Sequence, residues 1–172
     1  IIADHKSLRK ENWAYIYDEE KYSTRINFTE LLSPNNGLPN KTGIQVEVYF
    51  SKDKIQTESD ETIKNKVVNE LIEMGIIKSK EFVLESFTRR VPFANVIFDL
   101  NYKQCLDTIL GELEEYGLAR EEDDLSPITD WSKKMNDSEK LGNIILCGRY
   151  SQWKYYWTDD CILRGKYCSE RV

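Results

Sequence analysis

A chain of 172 residues is long enough for one domain, or one and a fraction. Its net charge of −6 argues against nucleic acid as a partner, because phosphate neutralisation needs a basic surface. The one histidine, His5, at what reads as a frayed start, makes a Ser-His-Asp triad or a histidine-rich metal site a poor prospect, and no metal is expected.

Trp13 to Tyr17 reads as a strand, followed by a polar turn at Asp18–Lys21 and a second strand over Thr24–Phe28 with Ile26 and Phe28 on one face. Ser33 to Asn40 is dense in turn formers. Ile44 to Phe50 alternates, with Ile44, Val46, Val48 and Phe50 on one side, the pattern of a half-buried antiparallel strand. Three strands joined by short links predict a meander. Ser59 then caps a helix whose apolar face is Ile63, Val67, Leu71 and Met74, with Gly75 as the stop. Phe82 to Val91 reads as a strand closed by Pro92. Tyr102, Leu106, Ile109, Leu113 and Tyr116 define a second helix ended by Gly117. Leu118 to Leu141 is polar and irregular, an insertion with room for one or two short helical turns. Ile144–Leu146 reads as a short buried strand, whose open edge predicts self-association. Gly148-Arg149, an aromatic loop and a helix opening at Thr158-Asp159-Asp160 follow. Strands first and helices interspersed give an α+β class, an antiparallel sheet with packed helices.

No CxxC pair joins the four cysteines; Cys105 and Cys147 sit in apolar patterns that read as core. Without a signal peptide, a reduced, cytoplasmic protein is expected, and the Asn-x-Ser/Thr triplets at Asn27, Asn40 and Asn136 read as chance. No apolar run approaches the roughly 20 residues of a membrane span. The acids from Glu112 to Asp124 read as a solvated helix end and loop. No GxxxxGK[ST] or GxGxxG occurs. A strand, a glycine turn and a helix N-terminus nevertheless make an anion site, because unpaired N–H groups and the helix dipole face the ligand. Arg25, Arg89, Arg90, Arg149 and Tyr155 are candidate phosphate grips, since arginine binds phosphate through two donors and tyrosine adds a hydroxyl and a flat ring. Surface arginines among cross-strand aromatic pairs are the alternative, strongest for Arg89 and Arg90.

Three segments carry a family resemblance. Gly148-Arg149-Tyr150-Ser151-Gln152-Trp153-Lys154-Tyr155-Tyr156-Trp157-Thr158-Asp159 resembles the C-terminal flavin motif of FAD-dependent amine-oxidase-like proteins, most of all the UDP-galactopyranose mutases and their relatives in polysaccharide and lipopolysaccharide biosynthesis. Tyr22-Ser23-Thr24-Arg25-Ile26 with Leu32-Ser33-Pro34, and Arg89-Arg90-Val91-Pro92-Phe93-Ala94, resemble further stretches of that family and stand in its order. Ser151, Trp157, and Asn95 with Val96 depart from the pattern; Asn95 and Val96 stand where relatives often carry Tyr-Pro.

The resemblance implies a flavoprotein with FAD as cofactor. Gly148 and Arg149 would lie against the flavin, and the backbone at Asp159, Asp160 and Cys161 would meet its pyrophosphate arm. Arg25 would be the catalytic and substrate-facing residue over the flavin ring, with Tyr155 and the Asn95 position binding a nucleotide-sugar or other small molecule. The reaction implied is a redox-neutral ring isomerisation; an amine- or protoporphyrinogen-type oxidase, or a non-catalytic module binding a nucleotide-sugar, glycan or protein, are the alternatives. In these terms residues 1–117 are a substrate-side α+β domain of a flavoenzyme, 118–141 an insertion or loop, and 142–172 the terminal strand-loop-helix of an incomplete FAD-binding, Rossmann-type domain. The chain starts at Ile1 without a methionine and is expected to be a fragment lacking an N-terminal dinucleotide-binding domain, inactive and without stable flavin on its own.

Overall fold

The structure, a computed structural model, describes residues 1–121 and 142–170. Most of the expected insertion, together with Asn136 and the acids Glu122, Asp123 and Asp124, lies outside the described residues. The chain divides into two compact units at Arg90/Val91, ahead of the second long helix rather than after it.

The first unit is an antiparallel sheet with a helix on one face, which is α+β. Its strands are β1 (Ile2–Ala3), β2 (Trp13–Tyr15), β3 (Arg25–Phe28), β4 (Thr42–Glu47) and β5 (Val83–Glu85), in the order β2-β3-β4-β1-β5. The β2-β3-β4 meander is the one the alternation predicts. β1 has no counterpart in the sequence reading. It inserts between β4 and β5, pairing Ile2 with Gly43 and with Glu85. The start of the chain is therefore sheet interior. Ala3 is fully buried, and His5 is buried with its carbonyl accepting from Thr42 Oγ1 at 2.8 Å and its ring edge-on to Phe82. The expectation of a frayed His5 is corrected: two backbone ladders hold the segment ahead of it.

Helix α1 (Thr29–Leu32) follows β3 directly, and α2 (Asp60–Glu73) crosses the sheet. Ser59 Oγ accepts the Thr62 amide at 3.1 Å, which satisfies one of the donors a helix start leaves open. Gly75, at φ +66°, ends it in the left-handed region. Ile63, Val67 and Leu71 of α2 pack on Ile26, Phe28 and Ile44 of the sheet, with Ile76 and Ile77 closing the core. The strand predicted over Phe82–Val91 shrinks to Val83–Glu85, because only these residues find a partner, β1.

The second unit holds α3 (Tyr102–Glu115) and α4 (Thr158–Ser169). In α3 Leu106 is buried as predicted and Leu113 packs beside it, but Leu110 is buried in place of Ile109, and Ile109 and Tyr116 are exposed. Gly117 at φ +98° ends the helix, and Leu118 returns to pack on Leu106 and Leu110. Ile144–Leu146 forms no strand. Ile144 makes a single parallel bridge to Leu118, so the open strand edge expected to drive self-association has no strand to stand on. Cys105 and Cys147 are exposed, which corrects their reading as core residues. Among the described residues no helix is long and apolar enough to cross a membrane.

Candidate functional site

Cys147 leads into Gly148, whose φ of +100° suits the one residue without a Cβ. The chain then makes a tight turn: Gln152 N donates to the Gly148 carbonyl and Lys154 N to the Arg149 carbonyl, both at 3.1 Å. Trp153 closes this turn at φ +51°, a conformation in which a bulky side chain is strained. Its indole Nε1 donates to the Ile97 carbonyl at 3.2 Å. Tyr150 donates its hydroxyl to the Phe93 carbonyl at 2.8 Å. Between these two tethers Arg149 Nη2 donates to Asn95 Oδ1. Residues 93, 95 and 97 are thus each gripped by one side chain of the 149–153 turn. Nothing in the sequence between Asn95 and Arg149 announces that contact; the signal was the joint occurrence of the two motifs.

The Arg149 guanidinium is held on further sides. Nη1 donates to the Tyr156 carbonyl at 3.1 Å, and the Tyr155 ring lies 4.9 Å from its Cζ, in cation–π range. Nε is buried and donates to no described group. Tyr155 itself is half exposed. Three of the residues singled out from sequence, Asn95, Arg149 and Tyr155, are therefore brought together, with Gly148 as the pivot.

Asp159, Asp160 and Cys161 occupy the first turn of α4. Asp160 Oδ2 accepts the Trp157 amide at 2.8 Å, so the helix carries a carboxylate at its own positive end. The Cys161 amide donates to the Trp157 carbonyl at 3.0 Å, the first regular bond of the helix. Farther along, the buried Arg164 donates to the Leu146 carbonyl and to Glu121. Burial acts against its charge, and interactions with the Glu121 carboxylate first, then Cys168 and Tyr156, together raise its pKa.

Arg25 belongs to the first unit. It stands on the sheet face opposite α2, between Tyr15 and Glu47 in register. Nε donates to Glu47 Oε1 at 3.0 Å and Nη2 to the same oxygen, while the Tyr49 hydroxyl takes the other oxygen. Burial pulls the Arg25 pKa down, and its interactions with Glu47, Tyr15 and Tyr49 together give a net rise. Trp13, Tyr15 and Tyr49 are about half exposed, and the alternation of Arg25 and Asn27 with the buried Ile26 and Phe28 puts the polar residues on one side. The strand carrying Arg25 is fixed by α2: Glu70 accepts from Tyr22 N at 2.8 Å, Ser23 N at 3.0 Å and Ser23 Oγ at 2.6 Å. Glu70 went unremarked in the sequence, where it is one more acid on a helix. Arg90 pairs with Asp60 through Nε and Nη2 and so is an ion-pair partner of the α2 start. No group of metal-binding side chains is found among the described residues.

Comparison with protein-family models, with curated proteins and with solved structures returns no match.

Proposed function

We propose that this chain is part of a FAD-dependent enzyme of the kind its motifs resemble, the UDP-galactopyranose mutases and their relatives, with Arg149 as the residue that meets the flavin. One observation carries the reading. The 148–157 segment, which resembles the flavin motif of that family, meets residues 93–97, which run on from the Arg89–Ala94 resemblance into its Asn95–Val96 departure, at the Arg149–Asn95 contact and its flanking tethers. A structural turn needs no guanidinium at its centre. Here one is fixed by Asn95 and Tyr156, stacked on a half-exposed tyrosine, and left with a buried donor that no described group accepts from. A phosphate or flavin carbonyl oxygen would satisfy that donor, and the guanidinium's planar fork suits both. In this reading FAD supplies the reacting centre when bound. The second unit's own groups would bind and orient: Arg149 would meet the flavin and Tyr155 would offer a hydroxyl and a ring to a diphosphate or a flat ligand. The Asp160 cap makes the α4 start a poorer anion site than the sequence implies, so the weight of the proposal rests on Arg149.

The test is the visible absorption spectrum of the full-length product of the gene that encodes this chain. Co-purifying flavin, lost in large part on Arg149→Ala and partly retained in Arg149→Lys, is the expected result. A colourless protein that takes up no FAD on reconstitution would overturn the proposal. Given flavin, peroxide release on amine turnover would identify an oxidase instead of a mutase.

The exposed row of Trp13, Tyr15 and Tyr49 beside Arg25 favours a second reading, a module that binds a sugar ring on the open sheet face. Saccharide binding by a flavin-free full-length protein, lost on Trp13→Ala, would select it.

A further inference from the structure

The sheet of the first unit ends at β2 on one side and at β5 on the other. The Phe28 amide donates to the Asn12 carbonyl and the Ile16 amide to the Thr24 carbonyl, both at 2.9 Å, so Asn12, Ala14 and Ile16 turn their backbone groups toward β3. By the alternation of an antiparallel ladder, the N–H and C=O of Trp13 and Tyr15 point away from the sheet. They find no backbone partner among the described residues. β2 pairs with β3 in unbroken register and carries no proline and no charge, so its free edge is a template for another strand. The opposite edge is blunted, because β5 shifts register against β1 between Ile2 and Ala3. The two ends of β2 differ in charge: exposed Arg9 and Lys10 precede it, and exposed Asp18 and Glu19 follow it.

We propose that β2 is a self-association edge, at which it pairs antiparallel with β2 of a second copy of this chain. The register follows from which backbone groups are free. Within the strand only Trp13 and Tyr15 offer them, so Trp13 stands opposite Tyr15 of the partner subunit, and Tyr15 opposite Trp13 of the partner subunit. Each of these pairs exchanges two N–H···O bonds, and the two-fold axis passes at Ala14. The same register sets Lys10 against the partner's Asp18 and Arg9 against the partner's Glu19, so opposite charges meet at both ends of the joint. Parallel pairing in register would instead set like charges side by side. Trp13 and Tyr15 are each about half exposed and share the sheet face of Arg25, so each ring gains an aromatic neighbour across the joint. This edge is distinct from Ile144–Leu146, and the inference is independent of the flavin reading.

Sedimentation of the full protein from micromolar to millimolar concentration, followed in parallel by amide exchange, tests the pairing. The expected result is a mass that rises toward twice that of one chain, with the Trp13 and Tyr15 amides gaining protection in step. The Ala14 and Ile16 amides, which face β3, should be protected at every concentration. Lys10→Glu sets two acidic pairs across the joint and should weaken the dimer about tenfold, as should Asp18→Lys with two basic pairs. Combining the two changes should restore the parent affinity, and both fall on exposed side chains. A protein that stays monomeric at millimolar concentration would overturn the proposal and leave the edge to a strand of another protein. A dimer whose Trp13 and Tyr15 amides exchange as fast as in the monomer, or a double exchange that dimerises no more tightly than either single one, would overturn it as well.

Discussion

Replacing Glu70 by alanine should loosen the strand that carries Arg25. The carboxylate accepts three hydrogen bonds, from Tyr22 N, Ser23 N and Ser23 Oγ, and Ser23 is 1% exposed. Bonds to a charged acceptor contribute about 1.5–3 kcal/mol each, and a buried donor left unsatisfied costs about 1–3 kcal/mol. The three share one acceptor and do not add, and Glu70 itself is only partly buried. Glu70→Ala should therefore cost about 3 kcal/mol, with a few tenths returned by alanine's helix propensity. Glu70→Gln keeps a carbonyl acceptor in place and should cost about 1–2 kcal/mol. Urea midpoints give the global change, and amide exchange at Tyr22 and Ser23 gives the local one; about 3 kcal/mol corresponds to a roughly 100-fold loss of protection. A Glu70→Ala protein with a shift under about 0.5 kcal/mol and unchanged exchange at both amides would refute the idea that this carboxylate anchors the strand.

Asp60 gives a pH signature. The Arg90 guanidinium, and next the Gln56 amide, hold its pKa down to about 2 from an ordinary 3.8. With the folded pKa depressed, the favourable contribution is present above about pH 4 and is lost as pH falls through about 2. An NMR titration of the Asp60 carboxyl should show that midpoint, and Arg90→Ala should return it toward the ordinary value; a normal midpoint in the parent protein would contradict the ion pair. Glycine replacements should differ in sign. Gly148→Ala puts a Cβ on a residue at φ +100° with open space around it, so the cost of roughly 1–2 kcal/mol is all backbone. Gly165→Ala lies inside α4 with nothing near its Cβ and should stabilise by about 0.5–1 kcal/mol. Thermal or urea unfolding checks both, and equal signs would show that Gly148 is not held in its strained conformation.

The parts of this protein written in its sequence are the ones with a local physical cause. Alternation placed Ile26, Phe28 and Ile44 on one buried face, since period two has only two sides to offer. Ser59 and Gly75 bracketed α2 because a cap acts within one turn. Gly148-Arg149 ahead of the Thr158 helix was visible as a motif for the same reason. The tertiary structure decided whatever depends on a partner distant in sequence. Ile2 and Ala3 became sheet interior because β4 and β5 left a slot. Ile144–Leu146, just as apolar, found only Leu118 and made no strand. Phe82–Val91 kept three strand residues because β1 is short. Glu70 and Asn95 are ordinary polar residues until the chain brings Ser23 to one and Arg149 to the other. A hydrogen bond between residues 54 positions apart leaves no periodicity to read; it exists only once backbone closure has brought both ends to the same place.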